Sequence, residues 1–221
     1  DGTVNGAATR LAGGEKLLGI LPFGTVNRLA RDLKIPLDPD QAAAALAQGT
    51  PDRIDVAYVN DRMFTCNCYI GAQPLISEER EALRGRGLME RVSGYIRLLR
   101  MVFTYRRRMA VILDDGETRT SGRILSLAVS NNLYLESPSL LLERQTLSGG
   151  KLGVYLSEHR SGRGLIWVLV KAVCGRWRGD PYLSVREATE LHIEIRASSI
   201  KLTYDGEIDR FDTPLDFRID P

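Results

Sequence analysis

Three short stretches of this 221-residue chain place glycine beside polar side chains in a spacing suited to chemistry. The chain opens Asp1-Gly2-Thr3-Val4-Asn5, an acidic residue, a glycine and a helix-capping Thr. At a helix start this combination presents backbone N–H groups to an anion. Leu21-Pro22-Phe23-Gly24-Thr25-Val26-Asn27 joins a short apolar run to a helical one. Gly24 lets a ligand approach the backbone closely, and Thr25 and Asn27 offer hydrogen bonds at the helix N-terminus. Near the other end, Thr203-Tyr204-Asp205-Gly206-Glu207 holds two carboxylates around a glycine. They could supply a general base and a partner that orients it or a metal. Each stretch also has a plainer reading as a turn with a cap. Asp115-Gly116-Glu117 repeats the letters of the third, where Asp114-Asp115-Gly116 between two strands reads as a hairpin turn. No G-x-x-x-x-G-K-[ST] phosphate loop occurs.

The elements that must position these residues change character along the chain. Val4 to Leu11 reads as a helix and Lys16 to Leu21 as a short buried strand. Leu29 to Leu33 is helical, and a further helix opens at Pro39 and stops at Gly49 and Pro51. This strand–loop–helix rhythm is α/β, and ligands in such folds sit beyond the C-terminal ends of strands. After residue 50 the pattern is mostly β. Arg53–Asn60 and Arg62–Ile70 read as a hairpin turning at Asn60-Asp61. A helical stretch from Ser77 to about Tyr105, loosened by Gly85, Gly87 and Gly94, puts Leu88, Val92, Tyr95, Leu99 and Val102 on one stripe. Strands follow at 109–113, 123–130 and 153–157, then a helix at 165–173, then strands at 191–196, 200–204 and 215–219. Sequential hairpins favour an antiparallel sandwich carrying one or two helices.

Composition narrows the field. With 43% hydrophobic residues, 26% charged ones and a net charge of +2, disorder is excluded as the main state. The longest clean apolar run, Leu165 to Val170, is six residues, far short of a membrane span of roughly 20. Three cysteines, Cys66, Cys68 and Cys174, are too few for a disulfide framework, so a reduced cytoplasmic setting is expected. Cys66-x-Cys68 lacks partners at zinc spacing and reads as packing. His159 and His192 read as surface residues. The abrupt start at Asp1 reads as a fragment or a processed product.

Taken in order, D-G-T-V-N, L-P-F-G-T-V-N-R-L-A-R-D-L and the late D-G-E resemble the diacylglycerol kinase/sphingosine kinase-like lipid kinases, most closely the bacterial ones. Arg53-Ile54-Asp55-Val56 and the passage from Phe64 to Ile70-Gly71 extend the likeness over essentially the whole chain. The resemblance implies a partial nucleotide-binding α/β domain over 1–50 and a C-terminal antiparallel β-sandwich over 51–208. It also implies that 209–221 returns to the first domain. It implies ATP-dependent phosphorylation of a lipid hydroxyl such as that of diacylglycerol, with Mg²⁺ accompanying the nucleotide. Asp1, Gly2 and Thr3 would end a glycine-rich phosphate loop, and Gly24, Thr25 and Asn27 would complete it. Asp205 would take the hydroxyl proton with help from Glu207.

Three departures qualify this. The expected glycines before Asp1 and the strand–helix units ahead of them are absent, so the chain alone is expected to be inactive. Arg28 stands where many relatives carry Asp. Ser148-Gly149-Gly150-Lys151-Leu152-Gly153 replaces an acidic stretch, so no structural metal is expected. Rival readings are a non-catalytic lipid-binding or regulatory module with a degenerate site, and a relative of the NAD kinases.

Charge is unevenly spread. From Arg80 to Arg108 nine arginines face two glutamates, and from Arg160 to Arg178 there are five basic residues and no acidic one. A solvated helix face would explain this. A peripheral contact with an anionic membrane surface, at the inner face of the membrane, would also. Nucleic acid is not expected as a partner, since no binding motif accompanies the charge. Oligomeric state is open.

Overall fold

The computed structural model describes residues 2–83, 85–139 and 142–221. The N-terminal part contributes α1 (Gly2–Leu11), α2 (Arg28–Asp32) and α3 (Pro39–Gln48). Asp38 caps α3 by accepting from the Gln41 amide at 3.0 Å, and Pro39 takes the first helical position, where its missing N–H costs nothing. Lys16 to Leu21 is not a strand. Ile20 is buried, but Leu17, Leu18 and Leu21 are exposed. A strand exists only by pairing, and no described segment offers this run an edge.

The rest of the chain builds two six-stranded antiparallel sheets. They are made from β1 (Val56–Val59), β2 (Arg62–Phe64), β3 (Asn67–Ile70), β4 (Met109–Asp114), β5 (Arg119–Ile124), β6 (Ser126–Asn131), β7 (Leu152–Ser157), β8 (Leu183–Ala188), β9 (Glu190–Ile195), β10 (Ser199–Tyr204), β11 (Glu207–Asp212) and β12 (Leu215–Asp220). The first sheet runs β2-β1-β12-β9-β4-β5 and the second β11-β10-β3-β6-β7-β8. Alternate residues of both meet in one core that includes Phe64, Ile193, Leu215 and Phe217 from the first and Ile70, Leu127, Leu152 and Leu202 from the second. This is the expected sandwich, and it carries three helices: α4 (Ala72–Ala82), α5 (Leu88–Thr104) and α6 (Gly162–Val173). All six residues of β7 are buried, because Tyr155 on its outer face packs with Trp177 and with Ala172 of α6.

Four expectations change form. The strand expected over 62–70 is two, β2 in one sheet and β3 in the other, because Thr65 and Cys66 turn their amides out of the ladder. The helix expected over 77–105 breaks between α4 and α5, where Gly85 has φ +74°. Gly94 is not the break. A Cβ there would come within 2.2 Å of Leu83, so the glycine lets α5 lie against the end of α4. Residues 209–221 do not return to the N-terminal part. β12 pairs with β1 and β9 inside the first sheet, where Leu215 and Phe217 are buried in the sandwich core.

Candidate active site

Asp205 and Gly206 form a two-residue hairpin loop between β10 and β11, with Tyr204 opposite Glu207. Their φ angles are +45° and +91°, which Asp tolerates and Gly adopts freely. The turn reading of this motif is therefore right, and incomplete. The Asp205 side chain is buried, and its contacts reach across most of the chain. Its Oδ2 accepts from the Thr65 amide at 2.6 Å, the Thr65 hydroxyl at 2.8 Å and Asn5 Nδ2 at 2.9 Å. Its Oδ1 accepts from the amides of Cys66 at 2.8 Å and Asn67 at 3.0 Å. Asp115, with the same letters around it, takes its hydrogen bonds from Glu117 and Thr118 within its own turn, and beyond that turn it makes a loose ion pair with Arg186 at 3.8 Å. Those donors, the Thr118 amide first, hold its carboxyl below the usual carboxylate range. Range of contact separates the two motifs where spelling could not.

The first motif meets the third here. Asn5, on α1, touches Asp205 directly, and the open Cα of Gly2 faces Glu207, whose Oε1 would lie 2.7 Å from a Cβ at that position. Thr3 lies in the first turn of α1, which contains no acidic residue. Asp1 lies outside the described residues. The second motif reaches the same place through packing. Leu29 and Ala30 of α2 and Val4 of α1 cluster on Cys66, the residue whose amide holds Asp205. Asn27 sits at φ +53° ahead of α2, and its side chain closes its own loop. Its Nδ2 donates to the carbonyls of Pro22 at 3.0 Å and Gly24 at 2.8 Å, while its Oδ1 accepts from the Gly24 amide at 2.7 Å. Asn27 therefore shapes the loop, and Gly24 and Thr25 are the members left exposed.

A buried ion pair fixes this assembly. Arg144 Nε donates to Asp32 Oδ2 at 2.9 Å, with the two side chains 1% and 2% exposed. The same guanidinium donates to the carbonyls of Thr65 at 2.6 Å and Asn131 at 3.2 Å. It thus ties the end of α2 to the segment that holds Asp205. Arg28 turns away from the loop tip, with its guanidinium 3.4 Å from Asp32 and over the ring of Tyr134 at 5.3 Å. It serves the same seam. Asp55 makes a second buried junction, accepting from Asn132 Nδ2 at 2.9 Å and the Gly150 amide at 2.7 Å. Gly149 donates to Asn132 Oδ1 at 2.9 Å, so the Ser148-Gly149-Gly150 loop is held by its backbone amides.

Sequence reasoning missed Asn5, Thr65, Asn67 and Arg144 as parts of this centre. Asn5 lay inside a quoted motif. Thr65 and Asn67 lay in a strand that turned out to be broken, and nothing local marks Arg144. Burial, reinforced by the Asp205 charge, pushes the Cys66 thiol up to about 12, so it stays protonated and inert. His159 is the other surprise. Expected at the surface, it is buried with its Nδ1 2.9 Å from Ser157 Oγ and its Nε2 3.1 Å from Asp180 Oδ1.

Residues 1–59 match the family model described as diacylglycerol kinase catalytic domain. The chain is 43% identical over 75 residues to the "Probable lipid kinase YegS-like" of Serratia proteamaculans, a stretch covering 32% of this chain and 25% of that protein. It is 39% identical over 214 residues to the protein of the same name from Yersinia enterocolitica, covering 94% of this chain and 69% of the relative. The chain belongs to the diacylglycerol kinase-like family of lipid kinases. A "putative diacylglycerol kinase" from Bacillus anthracis str. Sterne has the same fold, with a TM-score of 0.73 at 20% identity over 99% of this chain and 71% of that one. This member of the lipid kinase family thus spans about seven tenths of the length of the relatives that match it over nearly its whole chain.

Proposed function

We propose that the protein transfers the γ-phosphoryl group of ATP to the hydroxyl of a lipid such as diacylglycerol. The observation that carries the reading is the Asn5–Asp205 hydrogen bond, which joins the N-terminal motif to the C-terminal one across 200 positions. Two motifs that far apart have no local reason to meet, and their meeting supports a carboxylate base working beside a helix start whose N–H groups would receive an anion. We infer that residues 1–50 belong to the nucleotide-binding portion and 51–208 to the lipid kinase C-terminal domain.

The residues present fit a nucleotide with Mg²⁺. The bare Cα of Gly2 leaves room that a side chain would take from Glu207, and the first turn of α1 carries no acid to repel phosphate. Gly2, Thr3, Gly24 and Thr25 would hold the phosphates, Asn27 would keep their loop in shape, and the exposed Glu207 carboxylate would face the cation. When bound, Mg²⁺-ATP supplies the phosphoryl group and a counter-charge for it. Asp205 accepts the proton of the lipid hydroxyl. A carboxylate offers about four lone-pair positions, and five donors fill those of Asp205. Three of these donors are backbone amides, and of the two side-chain donors the Thr65 hydroxyl needs only a turn about one bond, so Thr65 is the group that yields when the acceptor arrives.

The test offers labelled ATP to the full-length protein with diacylglycerol, other lipids and NAD. Phosphorylated lipid is the expected product. ATP binding with no acceptor phosphorylated would sink the kinase reading in favour of a non-catalytic lipid-binding module, and phosphorylated NAD alone would favour the NAD kinase reading.

A further inference from the structure

The stripe along α5 faces outward. Leu88, Met89, Val92, Ile96, Leu99 and Phe103 are all exposed, Met89 at 82% and Ile96 at 65%, and in the whole helix only Gly94 is buried. An amphipathic helix ordinarily turns such a stripe to the core. Here α4 takes only the side bearing Gly94. The apolar surface continues onto α6, whose Arg163 guanidinium lies 4.4 Å from the centre of the Phe103 ring. One and two turns further along α6 come Trp167, 58% exposed, and Val170, with Leu169 beside them. Singly exposed apolar residues need no explanation; a continuous ridge over two helices does.

Its border is strongly basic, and of the arginines along it Arg97 pairs with an acid of α4, Glu79 at 3.3 Å. Arg91, Arg97, Arg100, Arg106, Arg107 and Arg108 are exposed along and just beyond α5, whose single acidic residue is Glu90. α6 has no acidic residue at all. A second copy of the chain would bring the same positive border, so an isologous contact would set like charges against each other. A bilayer with anionic headgroups complements both parts at once, with acyl chains for the ridge and phosphates for the guanidinium groups.

We propose that the outward faces of α5 and α6 form a membrane-docking surface that inserts the Ile96–Leu99–Trp167 ridge into the outer layer of an anionic bilayer. The assignment extends the lipid kinase reading, since an acyl-chain acceptor resides in a bilayer, but vesicle binding is measured without catalysis. The full-length protein is mixed with phosphatidylglycerol/phosphatidylcholine vesicles and with phosphatidylcholine vesicles alone. Binding to the anionic vesicles is expected, weakening as salt rises. Insertion shifts Trp167 emission to the blue, and that shift is absent in Trp167→Phe; Trp177 is buried and does not respond. Ile96→Asp with Leu99→Asp lowers affinity at least tenfold at unchanged melting temperature. Arg91→Gln, Arg100→Gln and Arg107→Gln together lower it about a hundredfold, near fivefold for each charge removed. No binding to anionic vesicles overturns the proposal. So does binding that survives the aspartate pair, or a dimer dissolved by that pair with no vesicle response. Vesicle binding without lipid phosphorylation leaves the docking surface standing and removes the kinase reading instead.

Discussion

Asp205 gathers five hydrogen bonds from four residues, two of them backbone amides on Oδ1. Replacing it with Asn keeps the volume but turns an NH₂ toward amide donors that need an acceptor. Asp205→Asn should therefore lose at least about a hundredfold in turnover, the scale of a lost general base. It should also lose about 1–3 kcal/mol of stability from the unpaired donors. ATP binding is expected to persist, so nucleotide titration beside a denaturation curve separates the two losses; unchanged turnover would remove Asp205 as the base. Asp115→Asn provides the control. Its hydrogen bonds stay within one turn and its ion pair with Arg186 lies outside the Asp205 centre, so its turnover should match the parent. A shorter lever is Gly2→Ala, which pushes its Cβ onto Glu207 Oε1. The flexible Glu207 side chain can move aside, so the variant should fold normally and show its defect in the KM for ATP.

At the scale of elements, the Arg144–Asp32 pair joins α2 to the link between β2 and β3. Breaking a buried pair strands one charge, which typically costs about 3–5 kcal/mol. Arg144→Met and Asp32→Asn should each destabilise on that scale. The double variant should cost clearly less than the sum, and a double-mutant cycle from denaturant titrations measures the difference. Additive losses would mean that the two side chains act separately. The α4–α5 junction makes a different demand. Gly94→Ala presses a methyl into Leu83 and should cost about 1–3 kcal/mol, read as a lower melting temperature. The stripe on α5 looked in sequence like any core-facing stripe. Periodicity reports that a helix has an apolar side, and only packing tells whether that side meets protein or solvent.

For the molecule as a whole, stability should fall on the acid side of neutrality. Burial holds His159 below the ordinary histidine value of 6.5, although Asp180 pulls the other way. The unfolded chain then takes up this proton at higher pH than the folded one does, so stability declines as pH drops through 6.5 and below. Asp180 is held below the usual carboxylate range: burial opposes this, and the Lys171 ammonium and the Tyr182 amide outweigh it. Its contribution is retained above the carboxylate range and disappears only at still lower pH. Melting temperatures between pH 7 and pH 5 should fall in the parent and fall less steeply in His159→Gln.

Much of this protein could be read directly from its residues. Asp205-Gly206 between β-forming runs demanded a tight hairpin, Pro39 and Gly49 bounded α3, and the alternation after residue 50 demanded antiparallel sheets. These are local matters, decided by backbone sterics and side-chain period. The ordered motifs resembled those of lipid kinases, and the likeness held over nearly the whole chain. What tertiary structure alone decided is of another kind. It made Asp205 a centre and Asp115 an outlying turn, brought in Thr65 and Arg144, sent β12 to the middle of a sheet, and gave Lys16–Leu21 no strand to pair with among the described residues. Each of these depends on which distant groups share a buried space, where an unpaired donor or charge is costly and must find its counterpart. That requirement acts between residues up to 200 positions apart, and no local spacing records it.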